Sequence, residues 1–212
     1  MSAQATPRSG PAALFHRLSG VYDTAVVQWF AYRPVQDQVM AELATLRPDR
    51  VADIGCGTGQ LAARVASELK PAEVYGVDLA EGMLDQARAR SGAVTWLHGP
   101  AEHLPLADAS VDAVTSTEAF HWFQQDAALA EFRRVLAPGG HVVIGLLNPL
   151  TRLGSRLLDV QTVAAGGGHW PDFREMRSLV EGAGFRILRQ TRVRRPIIGR
   201  LAPNYVTVAV RD

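Results

Sequence analysis

Val51-Ala52-Asp53-Ile54-Gly55-Cys56-Gly57-Thr58-Gly59 begins as a short apolar strand and ends in three glycines at alternate positions. The residues after it place Leu61, Val65 and Leu69 on one helical face, with Ala62 and Ala66 beside them. A strand running through a glycine turn into a helix is where an open parallel sheet receives nucleotides. Glycine there lets the backbone approach a ligand closely. The spacing is G-x-G-x-G, which differs from the G-x-G-x-x-G of a dinucleotide fold.

The same rhythm continues downstream. Glu73 to Asp78 reads as a second strand, and Met83, Leu84 and Ala87 mark a second helix. Val94 to Leu97 and Val111 to Ser116 are the third and fourth strands. Leu129, Phe132, Val135 and Leu136 face one way on a third helix, stopped by Pro138-Gly139-Gly140, and His141 to Leu147 is a fifth strand. Strand–helix–strand units at this spacing need crossovers, which predicts a parallel sheet covered on both faces. Past Asn148 the rhythm changes. Pro149 to Val163 reads as helical and Ala164 to Trp170 as a glycine-rich loop. Asp172 reads as a helix N-cap with Glu175 at the third helical position. Phe185 to Val193 and Tyr205 to Val210 are two last strands; the link between them holds Pro196, Gly199 and Pro203 and no helix, which predicts an antiparallel pair.

Upstream, Tyr22, Ala25, Val26, Trp29 and Phe30 form a helical stripe. Pro34 opens the next helix, with Val35, Val39, Leu43 and Leu46 on one face and Pro48 ending it. Residues 1–10 have no period and read as a flexible tail, leaving 11–212 as one domain. Within it, 11–48 reads as N-terminal helices or a lid and 149–171 as a substrate-side segment.

Composition bounds the rest. The chain has 212 residues, of which 47% are hydrophobic and 20% charged, so disorder, collagen and coiled coil do not describe it. The lone cysteine, Cys56, excludes an intrachain disulfide framework and fits a reducing, cytoplasmic setting. No apolar run reaches the roughly 18 residues of a membrane span, and the first residues show no secretory signal. Net charge is +1, but residues 1–181 carry −5 and residues 182–212 carry +6, the latter from seven arginines. A basic end can mark a polyanionic partner. Here the arginines are interleaved with apolar residues, as on the solvent side of late strands.

Three successive strand ends offer chemistry. Asp53 and the glycines follow the first strand. Asp78 ends the second, 23 residues after Gly55, where a carboxylate can accept from ribose hydroxyls. The third runs into Gly99-Pro100-Ala101-Glu102-His103-Leu104-Pro105. None offers a lysine for phosphate, so the ligand reads as nucleoside-like and cationic or zwitterionic.

As a set these motifs resemble the class I S-adenosylmethionine-dependent methyltransferases of the type 11 kind, over about residues 20–148. The matching stretches are Val51 to Gly59, Val77 to Leu84, Ala101 to Leu106, and Arg134 to Gly140. Glu118 to Phe123 is similar to trans-aconitate methyltransferase-like members, which act on small carboxylic acids. The resemblance implies a Rossmann-like seven-stranded mixed sheet with the last strand antiparallel and helices on both faces. It also implies roles. Asp53 would reach the amino group of S-adenosylmethionine, and Gly55, Cys56, Gly57, Thr58 and Gly59 would lie beside its methionine moiety. Asp78 would hold the ribose, Met83 would lie near the adenine, and Ala101 and Glu102 would frame it. Leu79 and Thr117 belong to the same cofactor set. The cap position before the second helix is Ala80, where the family often has Ser or Thr.

His121 follows the fourth strand, where the acceptor meets the methyl group in such a fold. It reads either as a general base or as a residue that packs with Trp122. Tyr22, Trp122 and His169 are the substrate-side candidates. Cys56 reads as a small packed residue and the histidines lack metal-ligand spacing, so no metal is expected. The expected activity is methyl transfer to a small-molecule acceptor, a carboxylate or a hydroxyl, by in-line displacement, with S-adenosylhomocysteine as product. An RNA or protein methyltransferase using the C-terminal arginines is one alternative; a nonenzymatic binder of the cofactor is another. Thr115-Ser116-Thr117-Glu118 lacks the Asp/Asn-Pro-Pro-aromatic motif of many nucleic-acid methyltransferases, which argues against a nucleic-acid partner. Oligomeric state is not readable from the chain.

Overall fold

The structure is a computed structural model that describes residues 32–147, 168–193 and 204–212. The tail, the Tyr22 stripe, the helix expected over 149–163 and the link after Val193 lie outside the described residues.

Helix α1 (Arg33–Leu46) has Pro34 in its first turn and ends at Arg47 in the left-handed region. Then come β1 (Arg50–Ile54), α2 (Gln60–Arg64, continued by a π turn Val65–Leu69), β2 (Glu73–Asp78) and α3 (Glu81–Arg90). They are followed by β3 (Thr95–His98), β4 (Val111–Thr117), a 3-10 turn Phe120–Trp122, α4 (Gln125–Val135) and β5 (Leu136–Leu147). Helix α5 (Phe173–Gly182), β6 (Phe185–Arg192) and β7 (Asn204–Arg211) complete the described chain.

The seven strands form one sheet in the order β3-β2-β1-β4-β5-β7-β6. β1 to β5 are parallel, and β7 runs antiparallel to both β5 and β6. This is the expected Rossmann-like mixed sheet. Strand order reverses between β1 and β4, so their carboxyl ends flank a crevice.

Alternation along the strands builds a core on each face. Val142 and Ile144 of β5 face α4 and α5, joining Phe132, Leu129 and Met176. Val143 faces the opposite way, onto Val35, Val39 and Leu43 of α1 and Leu61 of α2. All of these are at most 2% exposed, which is why the strands read as continuous apolar runs.

Local structure departs from the sequence expectation in three places. Leu136, assigned to the helical face, instead opens β5 with an extended backbone. The Pro-Gly-Gly segment is looped out between the pairs Val111–Leu136 and Ala113–His141, so it interrupts a strand instead of separating a helix from one. The helix after the glycine loop loosens into a π turn, closed by Lys70 in the left-handed region.

The start of α5 follows expectation. Asp172 accepts from the backbone N–H of Arg174 and Glu175, and the Glu175 side chain accepts from the Asp172 N–H. Asp172→Ala removes this reciprocal cap and is expected to lower stability by about 1 kcal/mol, read as a shift of the urea midpoint at unchanged slope.

Candidate functional site

A cavity of about 480 Å³ opens at the carboxyl ends of β1, β2 and β4, at the reversal of strand order. One wall belongs to the glycine loop. Gly55 N–H and Cys56 N–H both donate to Val77 O, at 2.8 and 3.1 Å, which folds the loop back onto β2. Gly55, Gly57 and Gly59 all have φ between +55° and +78°, a conformation side-chain-bearing residues rarely adopt. A Cβ at Gly57 would meet nothing within 4 Å, so the backbone there borders open space.

Asp78 organises the next wall. One carboxylate oxygen accepts from Gly57 N–H and the other from Ala80 N–H, both at 2.8 Å. The second bond holds Ala80, the residue before α3, which has no side-chain cap of its own. Leu79 is 54% exposed beside it, and Met83 closes the floor. From the end of β3, Ala101 and Glu102 form the third wall, where Glu102 accepts from Gln124 N–H at 2.7 Å. Asp53 is 2% exposed and takes a hydrogen bond from the Thr115 hydroxyl at 3.0 Å. Burial pushes its carboxyl up to about 7, against the Thr115 bond and helped by the nearby Asp78 charge. Asp78 is raised too, by burial, with the backbone donors opposing. Cys56 lines the cavity, but burial raises its thiol well above the usual range, so it is no thiolate nucleophile.

Of the residues named from sequence, Asp53, Gly55, Cys56, Gly57, Thr58, Asp78, Leu79, Met83, Ala101, Glu102, Thr117 and Trp122 line this cavity. Three do not. Gly59 caps α2, and a Cβ there would overlap the Trp96 ring and stand 2.9 Å from Ala87 Cβ, so its bare Cα serves close packing. His121 is 3% exposed and stacks on Trp170, with ring centroids 3.5 Å apart. Burial drops its imidazole to about 3. His169 sits over that stack, its N–H donating to His121 O at 2.8 Å and its ring half-exposed. Tyr22 lies outside the described residues.

The sequence reading missed the opposite wall. Tyr32 and Gln36 come from the start of α1, and Glu118, Ala119 and Phe123 follow β4. Only Glu118 gave a usable signal, as an acid directly after a strand end. Among the described lining residues are four acids, Asp53, Asp78, Glu102 and Glu118, and no Lys, Arg or His. That field favours cationic groups and disfavours anions.

A second hollow of about 550 Å³, between α4, α5 and β7, has Arg133, Arg134 and Arg211 on its rim. Arg134 spends its five N–H groups on Glu131, Asp108 and the carbonyls of Leu104 and Leu106. This hollow is a braced surface, set apart from the strand ends.

Comparison with known proteins gives the same picture. A family described as methyltransferase domain matches residues 52–144. Malonyl-[acyl-carrier protein] O-methyltransferase of Geobacter sulfurreducens is 42% identical over 136 residues, covering 59% of this chain and 48% of that protein. An uncharacterized methyltransferase of Mycobacterium bovis is 43% identical over 93 residues, covering 44% of this chain and 37% of that one. The chain spans about half the length of the first curated relatives it matches. A solved S-adenosylmethionine-dependent methyltransferase from Thermotoga maritima aligns with a TM-score of 0.74 at 25% identity, covering 94% of this chain and 99% of that one.

Proposed function

We propose that the chain is a class I S-adenosylmethionine-dependent methyltransferase and that it transfers a methyl group to a small-molecule acceptor. The observation that carries this reading is the cavity itself: carboxylates from three strand ends around a glycine loop, with no basic side chain among the described lining residues. Dinucleotides and other phosphate ligands want donors or cations there, whereas a nucleoside bearing a sulfonium and an ammonium wants acceptors.

The residues fit that ligand. Open space at Gly57 lets the methionine moiety lie on the backbone. Asp78, already fixed by two backbone donors, keeps lone pairs for ribose hydroxyls. Glu102, pinned by Gln124, borders the adenine position beside Ala101 and Met83. The bound cofactor supplies the activated methyl group, so the chain's task is alignment and exclusion of water. The similarity to malonyl-[acyl-carrier protein] O-methyltransferases supports an oxygen acceptor. Within the described part of the basic C-terminal stretch, Arg186 pairs with Asp212, Arg189 with Glu42, and Arg211 donates to Leu136 O. These three arginines have partners within the chain, the Arg186–Asp212 pair at the surface, which supports a small acceptor over RNA. The buried, neutral His121 outside the cavity lining supports the packing role for that residue.

Calorimetry with S-adenosylmethionine and S-adenosylhomocysteine, after chelation, tests the reading; heat with NAD and none with either would overturn it. Turnover against small acids, phenols and amines, with product mass detected, then finds the acceptor.

Proton linkage gives a second check. If the cofactor ammonium meets Asp53, it favours the ionised carboxylate and pulls its pKa below about 7. Binding then releases a proton when Asp53 starts protonated, and affinity weakens as pH falls. The expected loss between pH 7.5 and 6 is roughly tenfold, abolished in Asp53→Asn. An affinity flat over that range would remove Asp53 from the ammonium site.

A further inference from the structure

Gln36 stands on the buried stripe of α1, in line with Met40 and Leu43. Those two are apolar and at most 6% exposed, and Gln36 itself is only 7% exposed. Packing alone asks for an apolar side chain at such a position. An amide brings donors and an acceptor, and buried amides are as a rule paired. The Gln36 side chain has no hydrogen-bond partner among the described residues. Yet neither its nitrogen nor its oxygen is fully covered, and the cavity is the space it borders. A polar group more than nine-tenths buried is thus held without a protein partner at the cavity wall.

Its place in the fold sets it apart from the walls built by Asp78, Met83, Ala101 and Glu102, which follow β2 and β3. Gly145 of β5 lies beneath the first turns of α1. A Cβ there would stand 2.8 Å from Val35 Cγ2, 3.5 Å from Val39 Cγ2 and 3.3 Å from Thr117 Cγ2. The bare Cα lets α1 settle over the paired ends of β4 and β5, across the reversal of strand order from β2 and β3. Gln36 comes to the cavity from that side.

We infer that Gln36 is a specificity-determining residue whose side-chain N–H donates to a carbonyl or carboxylate oxygen of the acceptor. This rests on the methyl-transfer reading above. The lining holds four acids and, among the described residues, no Lys, Arg or His, so an acceptor oxygen has to be met by neutral donors. In a carboxylate, one oxygen takes the bond from Gln36 and the other is left for the methyl group. A ligand without such an oxygen leaves the amide unpaired, which is the basis for rejecting it.

Gln36→Met tests this with the fold kept, because methionine has nearly the same shape and suits the stripe; its thermal midpoint is expected at or above the parent's. Calorimetry on S-adenosylhomocysteine-saturated protein uses benzoate and methyl benzoate, which carry the oxygen, and benzylamine, which does not. The parent is expected to hold benzoate or methyl benzoate, and Gln36→Met to hold the same probe about tenfold more weakly, with benzylamine changed less than about twofold. Gln36→Glu removes both donors and adds a charge, so it is expected to lose about a hundredfold for benzoate and to gain for benzylamine. With the acceptor found by turnover, Gln36→Met is expected to raise KM about tenfold with kcat within about threefold. The inference is overturned if the parent holds neither oxygen-bearing probe, if Gln36→Met holds it as tightly, if benzylamine weakens as much, or if KM does not move. Affinity for S-adenosylhomocysteine is expected to stay within about twofold in Gln36→Met; a tenfold loss would give the amide to the cofactor and overturn the inference, with the methyl-transfer reading left standing. Absence of S-adenosylhomocysteine binding by the parent would overturn that reading first, and this inference with it.

Discussion

Asp78→Ala is expected to weaken S-adenosylhomocysteine binding by about 2–4 kcal/mol, roughly 30- to 1000-fold. The residue has two jobs. Toward the cavity it is a charged acceptor suited to a pair of hydroxyls. Toward the chain it holds Gly57 N–H and Ala80 N–H, one on each oxygen. Alanine therefore removes the ligand contact and frees the glycine loop from the start of α3 together. Asp78→Asn keeps one acceptor oxygen, so its loss is expected to be smaller. Calorimetry of both variants decides: equal affinity for Asp78→Ala and parent would mean the ribose lies elsewhere.

Gly55→Ala is expected to destabilise the fold by about 2–5 kcal/mol. The backbone there has φ +70°, which already penalises any side chain. The added methyl would overlap Ala119 Cβ and stand 3.0 Å from Phe123 Cζ. Neither neighbour yields easily, since Ala119 adjoins the 3-10 turn and Phe123 packs edge-on against Phe120 and Phe132. Gly57→Ala makes the control. It has the same handedness but nothing within 4 Å, so it should cost only about 1–2 kcal/mol of stability while still losing cofactor, its methyl filling the open space. Urea midpoints for both, with unchanged slopes, test the contrast. Equal midpoints would mean that Ala119 and Phe123 give way.

The half of the cavity around the glycine loop was legible because it is local. Asp53 and Asp78 end strands and the glycines follow one, so periodicity plus a turn fixes where they fall. The sheet was legible for the same reason, through alternating strands and crossovers. The opposite wall depends on folding at a distance. Tyr32 and Gln36 come from a helix that reads only as an apolar stripe, and Glu118 reaches Asn204 across 86 positions of sequence. For His121 the sequence left base and packing open, because it shows the place after β4 but not the turn that follows. In the 3-10 turn Trp122 lines the cavity while Phe120 and His121 pack into the interior. For Gly59 the space a side chain would need is taken by Trp96 on β3 and Ala87 on α3, which no local pattern shows.

That indole has one more consequence, for how this protein can change over time. The Trp96 ring fills the space where a side chain would stand at both Gly59 and Gly76, and its Nε1–H is tied to Ser91 O at 3.0 Å. Gly76 has no positive φ, so the ring is its main steric obstacle to alanine, with Cys56 Sγ a lesser one at 3.2 Å. A smaller residue at 96 would lift that obstacle at 76, while Gly59 would stay glycine for its backbone alone. Positions 76 and 96 are therefore constrained to drift as a pair: a descendant that gains alanine at 76 must already have surrendered the tryptophan.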